Sequence, residues 1–396
     1  MEELRNWLQK QQQEGNYRAL RPVNRLEHGQ LAPAGTSVSS SPLFDFSSND
    51  YLALSVHPSV ISTSRHFLER FGAGSGAARL MSGDLEIHHQ LEEKVAHLKG
   101  MESALTFGSG YLANVGIIPA LAGRNDVIFC DRLNHASIYD GCLVSGARLV
   151  RFSHNDPHHL ERQLKKYRGN RKALIVVESI YSMDGDRCPL QDVALLKKRF
   201  DCTLMVDEAH ATGLFGARGG GVIEEDGLTE DVDIAMGTFG KALGSYGAYA
   251  ACSDEMKRYL VNRARSFIYT TALPPAVIGA SLAAVDLVGD EPGLREELFR
   301  KVSLFKECLT SGGWRNTGPS QIIPILVGDS RTALEIAAEL QENTIFATAV
   351  RPPTVPKNTA RLRFSITRHL SEETVKKAAE VLLDILSRRS VSVLPK

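Results

Sequence analysis

Short apolar runs alternate with amphipathic stretches between about residues 57 and 255. Stretches such as 157–169 and 189–200 have helical spacing and lie between several of the runs. The runs are rich in β-branched residues and lie at 126–130, 147–152, 172–179, 202–208, 232–238 and 246–252. Near-continuous apolar strands that alternate with helices predict an α/β fold, with a mostly parallel central sheet covered by helices on both faces.

The pattern changes after about residue 275. Long helical stretches come first, followed by strand-like segments at 321–328 and 360–366 and a closing helix over 371–389. This order predicts a smaller α+β domain at the C-terminus. We therefore expect three parts, namely an N-terminal segment (1–56), a large domain (57–275) and a small domain (276–396), because 396 residues exceed what one core supports.

Composition removes several classes of function. Lys plus Arg and Asp plus Glu both number 46, so overall charge gives no argument for binding nucleic acid or an anionic membrane. No stretch approaches the roughly 20 apolar residues of a membrane helix, and the N-terminus does not resemble a signal peptide. Six scattered cysteines indicate reduced thiols. The expected location is the cytoplasm.

Two histidine-rich stretches, 88–97 and 154–159, raise the question of a metal site. Neither has the H-E-x-x-H spacing of a zinc protease, and both have the pattern of exposed helix faces. No metal site is predicted.

Polar residues follow directly after four of the apolar runs. In open parallel sheets, ligands bind beyond the carboxyl ends of the strands, so residues at these positions are expected to share one site. They are Asp131 with Asn134 and His135, Glu178 with Ser182 and Asp184, Asp207 with His210, and Thr238 with Lys241.

Lys241 is the most informative of these residues. Lysine is rarely buried, yet this one follows an apolar strand among small residues, with no acid beside it in the sequence. Desolvation favours the neutral, nucleophilic amine that Schiff-base chemistry requires. An acid on a neighbouring strand, such as Asp207, can keep a pyridine nitrogen protonated so that the ring accepts electrons. The pattern predicts a pyridoxal 5′-phosphate (PLP) enzyme with Lys241 as its Schiff-base lysine.

At these motifs the sequence resembles the α-oxoamine synthases, within the fold-type I PLP-dependent transferases. The resemblance extends over nearly the whole chain, in family order. It is carried by eight segments, at 46–54, 74–83, 107–114, 134–141, 181–186, 205–213, 238–244 and 351–363.

The resemblance implies roles for residues around the cofactor. Lys241 would be the Schiff-base lysine and the acid/base at the substrate α-carbon. Asp207 would hold the pyridine nitrogen, His210 the ring hydroxyl, and His135 would stack on the ring. The remaining predicted cofactor contacts are Gly110, Tyr111, Ser182 and Thr238, the first two through N–H groups at a helix start.

The resemblance also implies a substrate site and a reaction. Substrate-binding residues would be Arg18, Asn49, His135, Thr354 and Arg363, with Arg363 binding the amino-acid carboxylate as a bidentate fork. The segment 351–356 is most similar to members that condense L-alanine with a pimeloyl thioester, with loss of carbon dioxide, in biotin biosynthesis. The acyl carrier, coenzyme A or acyl carrier protein, stays open, and the family implies a homodimer.

Three alternatives remain at this level. A sister synthase, such as glycine C-acetyltransferase or 5-aminolevulinate synthase, would use the same residues with other substrates. A plain aminotransferase would share Lys241 and Asp207 without a thioester pocket. A PLP-binding protein without turnover, acting as a sensor or scaffold, would need neither the acid nor the base at the α-carbon.

Overall fold

The structure is a computed structural model that describes residues 1–34, 42–314, 318–389 and 391. Its strands, in chain order, are β1 (Val23–Arg25), β2 (Gln30–Pro33), β3 (Leu43–Asp45), β4 (Ser103–Phe107), β5 (Val127–Asp131), β6 (Arg148–Phe152), β7 (Ala173–Glu178), β8 (Thr203–Asp207), β9 (Ile234–Thr238), β10 (Ala248–Cys252), β11 (Ile322–Gly328), β12 (Ile345–Phe346), β13 (Thr348–Val350) and β14 (Ala360–Ser365).

The α-helices are α1 (Glu2–Gln13), α2 (Pro58–Phe71), α3 (Glu86–Lys99), α4 (Gly110–Leu121), α5 (Ala136–Ser145), α6 (Pro157–Tyr167), α7 (Leu190–Phe200), α8 (Val222–Glu225), α9 (Asp254–Arg263), α10 (Arg265–Ile268), α11 (Pro275–Asp290), α12 (Gly293–Ser311), α13 (Ser330–Glu342) and α14 (Glu372–Arg388). Short 3-10 turns lie at Glu27–Gly29, Leu54–Val56 and Thr229–Asp231. Among the described residues, no helix is both long and apolar enough to cross a membrane.

The chain forms two compact units. The larger unit comprises Asp50–Ser182 and Asp186–Glu296, and the smaller unit comprises Met1–Asn49, Met183–Gly185 and Glu297–Lys396. The division predicted from the sequence, at residues 56 and 275, stays a prediction.

The larger unit contains a seven-stranded sheet in the order β4-β10-β9-β8-β7-β5-β6. The five strands from β9 to β6 are parallel, whereas β10 is antiparallel to both of its neighbours. Every residue of β5 and β7 is buried, which explains their continuous apolar character. The predicted α/β fold with a mostly parallel sheet is confirmed. β4 is missing from the prediction because its five residues lie between glycines and form no long apolar run.

The smaller unit joins the N-terminal segment to the C-terminal part of the chain. Phe46 packs against Phe305 and Phe364, with ring centroids 6.2 and 5.7 Å apart. The N–H of Ser365 donates to the Phe46 carbonyl at 2.7 Å. The sheets of this unit have the orders β1-β2-β3-β12 and β11-β14-β13.

Candidate active site

The carboxyl ends of β7, β8 and β9 bring the predicted catalytic residues together in the larger unit. Glu178 and Asp207 are paired in register as the last residues of β7 and β8. Thr238 ends β9, and Lys241 follows it in the next turn. Parallel strands end at the same edge of a sheet, so the parallel pairing of β7, β8 and β9 places these side chains in one region.

Lys241 and His210 are direct neighbours. The Lys241 Nζ atom lies 2.8 Å from His210 Nε2. The other ring nitrogen of His210, Nδ1, lies 2.8 Å from the Tyr51 hydroxyl, and Tyr51 is completely buried. The imidazole is therefore held between a phenol and an amine, which fixes the orientation of its ring.

Asp207 is buried, with 4% of its surface exposed. Its Oδ1 atom accepts the N–H of Ala209 at 2.9 Å, and its Oδ2 atom accepts the side-chain amide of Asn114 at 3.1 Å. A carboxylate can accept about four hydrogen bonds, so acceptor capacity remains for a further donor. The same Asn114 amide lies 2.9 Å from the Ser137 hydroxyl.

His135 precedes α5 and caps its first turn. Its Nδ1 atom lies 3.3 Å from the N–H of Ser137, which donates to it, and 2.8 Å from the Ser137 hydroxyl. Its own N–H donates to Glu178 Oε1. Burial lowers the pKa of His135, which favours the neutral imidazole.

Glu178 is a buried carboxyl of this site with a raised pKa. Only 3% of its surface is exposed. Burial, followed by the negative charge of Asp207, raises the pKa of Glu178 to about 8.

Three predicted cofactor contacts lie close to one another. Gly110 and Tyr111 begin α4, where Ser109 caps the helix by accepting the N–H of Leu112 at 3.2 Å. The first N–H groups of a helix lack partners within it and bind anions well. A side chain added at Gly110 would lie about 4.0 Å from the Thr238 Cβ atom. Ser182 is buried after β7.

Of the five predicted substrate residues, His135 lies in the larger unit, and the other four lie in the smaller unit, where they form two pairs. The guanidinium of Arg18 donates to the Thr354 hydroxyl at 2.8 Å. Arg363 is buried in β14 and donates to Asn49 Oδ1 at 3.2 Å and to the Ser365 hydroxyl at 2.7 Å.

Sequence reasoning missed two residues of the larger unit, Tyr51 and Asn114, and one contact of a third, Glu178. Tyr51 and Asn114 lie within the recognised motifs, but nothing in their spacing indicates that they touch His210 and Asp207. Glu178 stands out as a polar residue at a strand end, yet its bond to His135 depends on the pairing of β5 with β7.

The expectation that both histidine-rich stretches form exposed helix faces is wrong for two residues. His88 is 1% exposed, with its ring nitrogens 3.1 and 3.2 Å from the carbonyls of Leu85 and Leu273. His154 precedes α6 and lies 3.0 Å from both Asp131 and Asp186. Histidines can satisfy both ring nitrogens when buried, and helical spacing does not reveal such partners.

The chain matches a known protein family over most of its length. The family model for aminotransferase class I and II matches residues 41–382, and the chain belongs to that family. The 8-amino-7-oxononanoate synthase of Geobacter sulfurreducens is 46% identical over 381 residues, which is 96% of each chain, so the chain also belongs to this narrower group.

Solved structures share the fold of this chain. A structure of serine palmitoyltransferase (SPT) with PLP has a TM-score of 0.92 and 28% identity, covering 98% of both chains. The 8-amino-7-oxononanoate synthase of Francisella tularensis has a TM-score of 0.77 and 28% identity, covering 88% of this chain and 99% of that one.

The ion pairs of His154 give a testable pH dependence. Burial opposes its charged form, but the carboxylates of Asp131 and Asp186 outweigh burial and raise the pKa of His154 from 6.5 to about 9. The stability that protonation contributes is therefore complete below pH 6.5 and is lost as the pH rises through about 9. We predict that His154→Gln lowers the unfolding free energy most below pH 6.5, and that the difference from the wild type shrinks as the pH rises through about 9.

Denaturant unfolding at a series of pH values measures this difference. His158→Gln is the matched control, because His158 is an exposed residue of the adjacent α6, and it should show no such trend. A His154→Gln difference that stays constant across the range would contradict the prediction.

Proposed function

We propose that this chain is a PLP-dependent acyltransferase that condenses L-alanine with a pimeloyl thioester to form 8-amino-7-oxononanoate, releasing carbon dioxide and the thiol carrier, in biotin biosynthesis. The observation that carries the proposal is the contact of Lys241 with His210 beside the buried carboxylate of Asp207. The identity to named 8-amino-7-oxononanoate synthases supports the choice of substrates.

The residues present fit PLP. A pyridine nitrogen requires a buried acid, and Asp207 has acceptor capacity left after its two hydrogen bonds. A phosphate requires N–H donors, which the start of α4 offers at Gly110 and Tyr111. An aldehyde requires an amine, which Lys241 supplies. Thr238 and Ser182 would add contacts to the cofactor.

Bound PLP supplies an electron sink for the negative charge that develops at the alanine α-carbon. Lys241 would hold the cofactor as a Schiff base and would move the α-proton of alanine. His210 would hydrogen-bond the ring hydroxyl, with Tyr51 fixing the imidazole. His135 would lie against the ring and contact the substrate. Its imidazole would be neutral there, since burial lowers the pKa of His135.

Four further residues would bind the substrates. Arg363 would bind the alanine carboxylate, because an arginine fork matches a carboxylate with two parallel hydrogen bonds. Asn49, which accepts from Arg363, would hold that fork in place and line the site. Arg18 would bind the distal end of the pimeloyl chain, with Thr354 positioning its guanidinium.

Release of free thiol tests the reaction directly. Alanine, glycine and serine are each combined with pimeloyl and acetyl thioesters of coenzyme A and acyl carrier protein. We predict that L-alanine with a pimeloyl thioester gives the highest kcat/KM, and that alanine exceeds glycine by about 10- to 200-fold, since one methyl group in a pocket discriminates by that amount.

Lys241→Ala is the negative control and should release thiol slower by orders of magnitude, because it lacks both the nucleophile and the base. Glycine with acetyl-CoA as the best pair would indicate a sister synthase. Transfer of an amino group to a keto acid, without thiol release, would indicate an aminotransferase. The absence of both reactions would indicate a binding protein without turnover.

The assignment of Arg18 is tested by Arg18→Ala. Loss of a charge-assisted hydrogen bond costs about 1.5–3 kcal/mol, so KM for the pimeloyl thioester should rise about 10- to 150-fold. Alanine binding, followed by the change in cofactor absorbance, should stay the same. Arg5→Ala, an exposed arginine of α1, is the matched control, and an equal effect of both changes would refute the role of Arg18.

A homodimer in the cytoplasm completes the proposal. Leu143 and Val144 on α5 are 71% and 68% exposed, and Tyr111 on the neighbouring α4 is 49% exposed. Apolar surface of this kind is typical of protein interfaces, and obligate interfaces bury more than about 2,000 Å². Sedimentation should therefore give twice the chain mass, and a fully active monomer at micromolar concentration would contradict the dimer.

A further inference from the structure

Glu178 lies beside Asp207 but has no role in the reaction described above. The two residues pair in register across the parallel strands β7 and β8, so their side chains point to the same face of the sheet. Both are buried, with 3% and 4% of their surfaces exposed. A second buried carboxyl at this position requires an explanation, because acidic residues are rarely buried without a purpose.

The contact of Glu178 with His135 suggests what this carboxyl does. Glu178 Oε1 accepts the backbone N–H of His135, the residue that caps α5. The bond fixes the chain at the point where α5 begins. The ring of His135 extends from this fixed backbone, and its Nδ1 atom is in turn held by Ser137.

Burial has the largest effect on the pKa of Glu178, and the surrounding charges come next. Asp207 on β8 and Asp131 on β5 raise the pKa of Glu178, whereas Lys241 after β9 and the His135 N–H lower it. Two neighbouring buried carboxylates cannot both be ionised without a large electrostatic cost. Asp207 accepts two N–H groups, whereas Glu178 accepts the N–H of His135.

We propose that Glu178 is a further positioning residue of this site, which holds His135 in place as a neutral carboxylic acid and adds no second negative charge beside Asp207. The proposal rests on the proposed function, in which Asp207 holds the pyridine nitrogen and His135 lies against the ring. With Glu178 neutral, Asp207 would be the one of these two carboxyls whose negative charge acts on the ring nitrogen. The raised pKa of Glu178, about 8, agrees with this assignment.

Infrared spectroscopy of the full-length protein with its cofactor tests the protonation directly. Protein labelled with [¹³C]glutamate is compared with unlabelled protein between about pH 6 and about pH 10, two units on either side of the pKa of about 8. We expect an isotope-shifted carbonyl band of a protonated glutamate at the lower pH that disappears at the higher pH. The label distinguishes Glu178 from Asp45, an aspartate whose pKa is also raised by burial.

Two variants assign the band. Glu178→Gln should remove it. Glu92→Gln should leave it unchanged, because Glu92 is equally buried but pairs with Arg79 and Lys257, which hold its pKa below the usual value. Absence of the glutamate band at the lower pH, or its persistence in Glu178→Gln, would overturn the proposal. If Glu178→Gln does not fold, the titration of the labelled wild-type protein still decides whether a protonated glutamate exists.

The positioning role has its own spectroscopic readout. The visible circular dichroism of bound PLP reports how the protein holds the ring. Glu178→Gln keeps an acceptor for the His135 N–H and should retain this signal, whereas Glu178→Ala should reduce it. Equal signals from both variants would overturn the positioning role. Failure of the wild-type protein to bind PLP would instead refute the proposed function, and the infrared band would still report the state of Glu178.

Discussion

The parallel pairing of β7, β8 and β9 is the constraint on which the site in the larger unit depends. Because these strands run in the same direction, Glu178, Asp207 and Thr238 all reach the same edge of the sheet. A slip of one residue in β8 would turn Asp207 to the opposite face, since side chains alternate along a strand. Burial of the apolar strand residues on both faces therefore fixes the chemistry as well as the fold.

The turn after β8 is secured from the other side of the sheet. Glu208 follows Asp207, and its carboxylate pairs with Lys99 at the end of α3; both side chains are buried. The Glu208 carbonyl accepts the N–H groups of Ala211 and Thr212, each at 2.9 Å. Buried ion pairs contribute little net stability but are costly to break. This one ties the segment that carries Asp207 and His210 to a helix.

The sequence predicts the parts of this structure that depend on local pattern. The runs that form β5 to β10 are visible because they are apolar and β-branched, and Lys241 is visible because an amine at the end of such a run is unusual. Contacts between distant segments are harder to predict from the sequence. Tyr51 reaches His210 across 159 positions of sequence and Asn114 reaches Asp207 across 93, and no periodicity encodes either bond.

The same limit explains the errors over burial. His88 and His154 have the spacing of exposed residues, but carbonyl and carboxylate partners from other segments allow them to be buried or half-buried. The N-terminal segment likewise gives no sign that β3 pairs with β12, some 300 residues later. Only the resemblance to a family linked residues outside the strand ends, such as Arg18 and Thr354, to the same enzyme.

The central claim is that Lys241 holds PLP. Borohydride reduction of the purified protein, followed by digestion and mass spectrometry, tests it most directly. We predict a protein that absorbs visible light, with the reduced cofactor attached to the peptide that contains Lys241. Attachment to a different lysine, or no attachment to a protein that is saturated with PLP, would contradict it.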